Sequence, residues 1–166
     1  MEKTIGTLQD LQYRNVISKY LRINLINLAD NIEQFLKDIT DAGYTVTELF
    51  FYSINSPIND GTDVLMEFFV QVIEDYKKEV LSSEFHYHSH FQVLDMVATR
   101  IEGDSIESFG DGIKRLEEFI TPPKPRGLLK FFTKSQKRIE RTPPFFLTYR
   151  TDDKVYTDIM IGVHQE

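Results

Sequence analysis

Apolar side chains recur along the first half of the chain with two different periods. Residues 12–23 form a run rich in β-forming residues, which is typical of a strand. A helical period follows and stops at Gly43, with apolar positions at Leu25, Leu28, Ile32, Phe35, Leu36 and Ile39. Two more strands are predicted at residues 45–54 and 64–74, because turn-forming Pro, Asn, Asp and Gly residues separate them. The first half therefore predicts the order β-α-β-β.

The second half repeats this order. Residues 85–101 predict a long strand, and Asp104-Ser-Ile-Glu107 has the spacing of a helix capping box. The helix that it opens has its apolar positions at Ile106, Phe109, Ile113, Leu116 and Ile120. A basic insertion at 121–143 follows, and two strands are predicted at residues 144–151 and 154–163.

The two halves correspond by simple offsets. Leu25, Leu28, Ile32, Phe35 and Ile39 lie 81 residues before the five apolar positions of the second helix, and the closing strands 63–72 and 154–163 align at an offset of 91. The sequence predicts an α+β fold made of repeat one, 5–78, and repeat two, 84–166. We expect antiparallel sheets with one main helix per repeat, a pseudo-twofold relation between the repeats and a central cleft.

The tandem β-α-β-β order, the segment Thr142-Pro-Pro-Phe-Phe-Leu-Thr-Tyr149 and an acidic residue in each closing strand carry a family resemblance. The chain resembles the GyrI-like small-molecule-binding family, which includes gyrase-inhibitory proteins and effector-binding domains of multidrug-responsive transcription activators. The resemblance implies a cleft lined by aromatic residues, in which a buried carboxylate on a closing strand meets cationic or polar ligands. Thr142 departs from the Gly usual there, and no helix-turn-helix segment precedes Leu11, so we expect a free-standing member.

Strand alternation selects the candidate ligand-binding residues. Glu67 and Asp158 occupy equivalent positions of the two closing strands, on the faces that the apolar positions leave free of helices. Aromatic residues at corresponding or neighbouring positions would form the walls of the site, and these are Tyr52, Phe69, Tyr149 and Tyr156. The alternative is an ordinary one-sided sheet whose polar face meets water.

Three alternating histidines are a candidate metal site. His86, His88 and His90 share one face of an extended segment, and two His residues at this spacing can bind zinc. The third ring lies about 13 Å from the first on the strand rise, which is too far for one ion. We therefore expect a polar strand face, with no metal and no cofactor.

A basic segment offers a second kind of function. It consists of Lys124, Arg126, Lys130, Lys134, Lys137, Arg138 and Arg141, in a chain whose net charge is −7. Such a segment is suited to dock an acidic protein partner, or it is a solvated flap over the cleft. The overall negative charge argues against nucleic acid as a partner.

The sequence lacks the usual marks of catalysis and export. It has no Cys, no nucleophile elbow, no phosphate-binding glycine loop and no signal peptide or membrane span, so we expect a cytoplasmic protein with no assigned catalytic residue. The leading prediction is a non-enzymatic small-molecule-binding protein with an aromatic, acidic cleft for cationic or lipophilic ligands. The alternatives are a protein-interaction or chaperone-like accessory and a hydrolase built on the same cleft.

Overall fold

A computed structural model describes residues 4–121, 138–140 and 142–165 of the chain. It contains seven strands, two α-helices and one 3₁₀ turn in these residues. In chain order they are β1 (Ile5–Ile23), the 3₁₀ turn (Leu25–Asn27), α1 (Leu28–Asp41), β2 (Val46–Ile54), β3 (Val64–Val72), β4 (Phe85–Glu102), α2 (Ile106–Ile120), β5 (Arg138–Glu140), β6 (Phe145–Arg150) and β7 (Val155–Gln165). The fold is α+β, as predicted, with a mostly antiparallel sheet and two helices.

Most predicted elements are present with small changes of their ends. The largest change is in β1, which begins at Ile5 instead of residue 12. β5 was not predicted, since three residues carry no readable period. Its place within the sheet comes from backbone pairing, in which Ile139 lies opposite His164. The segment 121–143, which the sequence predicted as a basic insertion, therefore contains the short strand β5.

The chain divides into two compact units, which share the long strands. The α1 unit comprises Leu11–Val93 and Phe145–Leu147, and the α2 unit comprises Met1–Asp10, Leu94–Pro144 and Thr148–Glu166.

In the α1 unit, β3 lies between β1 and β2 and pairs antiparallel with both. The strand order there is β4-β1-β3-β2-β6. Phe68 of β3 packs against Phe35 of α1 with a ring-centroid distance of 5.6 Å, whereas Phe69 stacks on Phe51 at 4.7 Å on the other side of the sheet. The predicted alternation of β3 between a helix face and a helix-free face is thus confirmed.

The ends of α1 follow from local chemistry. The Asn24 side chain accepts a hydrogen bond from the Ile26 N–H at 3.1 Å, which satisfies a donor at the start of the helical segment. Gly43 adopts a φ of 90°, and this left-handed conformation ends the helix where the sequence predicted. No helix in the described part of the chain is long and apolar enough to cross a membrane.

In the α2 unit, β4 and β7 pair antiparallel from Met96 opposite Gly162 to Glu102 opposite Tyr156. α2 packs on these strands through its buried face, which contains Phe109, Gly112, Leu116 and Ile120. A Cβ atom at Gly112 would lie 2.5 Å from Ile159 Cδ1 and 3.1 Å from Ile101 Cγ2, so a larger residue would force these buried side chains to shift.

We predict that Gly112→Ala and Gly110→Ala have different effects on stability. A Cβ atom at exposed Gly110 would have no neighbour within 4 Å, so alanine there should raise helix propensity alone and stabilise the protein by about 0.5–1 kcal/mol. Alanine at Gly112 gains the same propensity but overpacks the buried Ile159, which should make it less stable than Gly110→Ala by about 1–3 kcal/mol. Urea unfolding of both variants measures this difference, and equal stability would contradict the close packing of α2.

Candidate functional site

The candidate site in the α1 unit is built around Glu67 on the helix-free face of the sheet. Tyr20 of β1 and Ser53 of β2 lie directly opposite Glu67 on its two neighbouring strands. The Tyr20 phenol therefore lies beside the Glu67 carboxylate. Partial burial, followed by hydrogen bonding to Glu67 and the charge of Glu67, raises the pKa of Tyr20 to about 12. Tyr20 is thus a neutral phenol at pH 7, next to a half-buried carboxylate.

Aromatic rings occupy the next positions along the same face. We call Phe51, Phe69, Phe91 and Phe145 the Phe cluster. Phe51 and Phe69 stack with parallel rings, and Phe91 lies 5.0 Å from Phe69. Phe145 closes the group at 5.8 Å from Phe69. Because these rings fill the space between one another, the cluster forms a packed apolar floor beside Glu67 and leaves little room for a ligand to enter it.

A polar pair lies beside the Phe cluster. Ser18 of β1, which is opposite Phe69, is hydrogen-bonded through its Oγ to His88 Nε2 of β4 at 3.0 Å. Ser18 has no exposed surface, and the His88 ring contacts Phe91 edge to face. Burial lowers the pKa of His88 below its ordinary value of 6.5, although the charge of Glu67 opposes this effect. His88 is therefore neutral at pH 7.

Tyr52 lies on the other face of the sheet from Glu67. Its ring packs against Phe68 at 6.4 Å and Phe146 at 5.4 Å, on the side that faces α1. The side chain is 7% exposed. The structure thus brings Glu67 and Phe69 together on one face, as the sequence predicted, and places Tyr52 in the helix-side core instead of on the wall of that site.

Asp158 has a different environment in the α2 unit from that of Glu67. Arg100 lies opposite it on β4 and binds it with two hydrogen bonds, Nε to Oδ1 at 2.6 Å and Nη2 to Oδ2 at 2.9 Å. The Arg100 guanidinium also lies 5.4 Å from the centre of the Tyr149 ring. Tyr156 shares the face of Asp158 two positions earlier on β7. The bidentate ion pair neutralises Asp158, so it lacks the free charge that an anionic anchor needs.

The predicted partner-binding residues can be placed only in part. Arg138 belongs to β5, and its backbone pairs with Gln165. The remaining residues of the basic segment lie outside the described residues, namely Lys124, Arg126, Lys130, Lys134, Lys137 and Arg141. Among the described residues, no group of three or more His, Asp or Glu side chains is arranged to hold a metal ion.

Several residues of the Glu67 site were not predicted from the sequence. Ser18, Tyr20, Phe51, Phe91, His88 and Phe145 come from four strands, and only the pairing register brings them beside Glu67 and Phe69. The alternation of β1 contained a usable signal, since Ser18 and Tyr20 share one face while the buried Ile17 faces the other. For β4 and β6 the sequence carries no information on which strand they would adjoin.

Comparison with known proteins gives a fold but no sequence family. No family model matches the chain, and no curated protein is significantly similar to it. The crystal structure of the EcmrR C-terminal domain aligns with 100% of this chain and 100% of its own length, at a TM-score of 0.69 and 13% sequence identity. The EcmrR chain in a cryo-EM structure of an EcmrR–DNA complex aligns with 99% of this chain at 12% identity and a TM-score of 0.69, and this chain covers 58% of it. The chain therefore has the fold of that C-terminal domain.

We predict that His88 makes stability depend on pH. Its pKa is lower in the folded than in the unfolded chain, so the unfolded chain takes up more protons as the pH falls through 6.5. The contribution of neutral His88 to stability is complete above the pKa that His88 has in the unfolded chain. It is lost as the pH falls toward the lower pKa that His88 has in the folded chain. Urea unfolding between about pH 7.5 and pH 5.5 should show a smaller loss of stability in His88→Gln than in the wild type.

His90→Gln is the matched control, because His90 is exposed on the same strand. Its stability should follow the wild-type pH profile. If His88→Gln also follows that profile, His88 is not desolvated by the fold.

Proposed function

We propose that this chain is a non-enzymatic, GyrI-like small-molecule-binding protein whose ligand site is centred on Glu67. The observation that carries the proposal is a half-buried carboxylate without an ion pair in the described structure, beside Tyr20 and at the edge of a packed aromatic floor. The fold shared with the EcmrR C-terminal domain supports it at the level of architecture. The ligand class that best fits is a cationic, lipophilic molecule.

The charge argument rests on Glu67. The described structure gives this carboxylate no ion pair, in contrast to Asp158 with its Arg100. His88 senses the charge of Glu67, but burial lowers its pKa below the ordinary value, so it is uncharged at neutral pH. A negative charge that is half-buried and lacks a cation attracts a cationic ligand more strongly than a charge in water does.

The apolar argument rests on the Phe cluster. Aromatic rings attract cations through their faces and bury the apolar groups of a ligand. Because the rings already pack on one another, the ligand would lie over the cluster and beside Tyr20, whose side chain is half-exposed. Of the predicted wall residues, Phe69 belongs to this floor, where its ring is buried. Tyr52 packs on the other face of the sheet, Tyr149 lies beside Arg100 and Tyr156 belongs to β7.

A hydrolase is the weaker alternative. Ser18 and His88 have the chemistry of a nucleophile and a base at hydrogen-bond distance, which a hydrolase requires. Ser18 is fully buried in the middle of β1, however, and its backbone belongs to the paired strand β1. A substrate carbonyl cannot reach the Ser18 hydroxyl unless the side chains that cover it move, so we assign the pair a supporting role beside the ligand site.

We further propose that the chain consists of two repeats, 5–78 and 84–166, related by a pseudo-twofold axis. The burial of the helices supports this, since Phe35 and Leu116 are both buried, as are Ile39 and Ile120, at the common offset of 81. We also propose a cytoplasmic location for the protein and an acidic protein partner for its basic segment. The contacts of the described residues test neither proposal.

We predict that Glu67→Gln weakens the binding of a lipophilic cation. Tetraphenylphosphonium and tetraphenylborate have similar size and opposite charge, so isothermal titration calorimetry with both separates charge from apolar contact. The wild type should bind the phosphonium more tightly than the borate, and Glu67→Gln should lose about tenfold or more in phosphonium affinity, as expected for a charge-assisted contact.

Glu48→Gln is the control, because Glu48 is an exposed glutamate on the adjacent strand β2. It removes the same charge from the whole chain and should leave the affinity unchanged. Equal phosphonium binding by the wild type and Glu67→Gln would refute Glu67 as the anchor.

A further inference from the structure

A cavity of about 650 Å³ lies within the α2 unit, away from every residue assigned to the Glu67 site. Strand β4 and helix α2 form most of its lining, and the remainder comes from Asp158 of β7 and from the start of the chain, at Thr4, Gly6 and Gln9. This volume falls in the range of small-molecule sites, which is roughly 300–1,000 Å³. The cavity contains both apolar surface, at Ala98 and Ile101, and charged groups.

Most charges that line the cavity already have partners. Arg100 is bound to Asp158, and Glu102 lies 3.4 Å from the Lys154 ammonium. Two charged groups remain, the Arg115 guanidinium and the Asp111 carboxylate. Neither forms an ion pair with any residue that the structure describes. The cavity thus offers one free positive and one free negative group.

The position of Arg115 is fixed by a buried hydroxyl. Its Nη1 donates a hydrogen bond of 2.6 Å to Thr99 Oγ1, and Thr99 is 3% exposed. This bond draws the guanidinium toward β4 and away from Asp111, although the two residues are four positions apart on α2 and would otherwise be suited to pair. The other N–H groups of the guanidinium are left to bind a carboxylate in the planar geometry that arginine favours.

We propose that this cavity binds a small zwitterion of the α-amino acid class, with its carboxylate on Arg115 and its ammonium group toward Asp111. Three carboxylates and two guanidiniums line the cavity, so its formal charge is −1. That balance disfavours phosphates and other polyanions, whereas a zwitterion adds no net charge and matches both free groups. Ile101, which shares the face of β4 with Thr99, supplies an apolar contact for the side chain of the ligand.

L-Leucine, L-leucinamide and N-acetyl-L-leucine test the proposal as probes, because the second lacks the carboxylate and the third lacks the ammonium group. Titration of the full chain, followed by protein NMR at concentrations up to about 10 mM, covers affinities into the millimolar range. We expect leucine to shift resonances of α2 and β4, and each of the other probes to bind at least about tenfold more weakly. No saturable shift with leucine would overturn the proposal, as would equal binding of all three probes.

Substitutions locate the site within the cavity. Arg115→Gln and Asp111→Asn should each weaken leucine binding about tenfold or more, whereas Lys114→Gln, which removes an exposed charge from the same helix, should leave it unchanged. Asp111 is exposed, so Asp111→Asn keeps the test valid if Arg115→Gln fails to fold. Unchanged binding in Asp111→Asn would reject the ammonium contact. The outcome is independent of Glu67, because Glu67→Gln leaves this cavity intact.

Discussion

The two-sided packing of β3 is the constraint on which the α1 unit depends. β3 pairs antiparallel with β1 along one edge and β2 along the other, and successive side chains point to opposite faces. Phe68 packs against the helix, while Glu67 and Phe69 lie on the face without a helix. A slip of one residue in either pairing would place a carboxylate in the helix-side core, and the cost of burying that charge fixes the register.

The same alternation places a functional group and an apolar floor side by side. Glu67 and Phe69 are two positions apart on β3, so their neighbours across the sheet form two successive rows. Tyr20 and Ser53 flank Glu67 in a polar row, whereas Ser18 and Phe51 flank Phe69 in the next row. The aromatic row is closed by rings from β4 and β6 and is therefore rigid. A rigid apolar surface beside a carboxylate loses little conformational freedom when a ligand binds, which favours recognition.

Equivalent sequence positions have acquired different chemistry in the two units. Glu67 lies opposite a neutral phenol, whereas Asp158 accepts two hydrogen bonds from an arginine. The charge of Glu67 thus remains available to a ligand, whereas the charge of Asp158 is already paired with that of Arg100. In the α2 unit the free charges are instead on the helix, where Arg115 donates a hydrogen bond to Thr99 and forms no described ion pair with Asp111. The alignment of the two closing strands in the sequence therefore does not carry over to the chemistry of Glu67 and Asp158.

The sequence by itself determined the order and type of the main elements, the α+β class and the faces of β3. These follow from local periods, since alternation and helical spacing are properties of consecutive residues. It also located Glu67 and Phe69 on one face. The tertiary structure alone decided that Tyr20, Ser18 and His88 lie near Glu67 and that Tyr52 lies on the opposite face. The physical reason is that the pairing of strands distant in the chain depends on how whole faces fit together, and no local pattern contains that information.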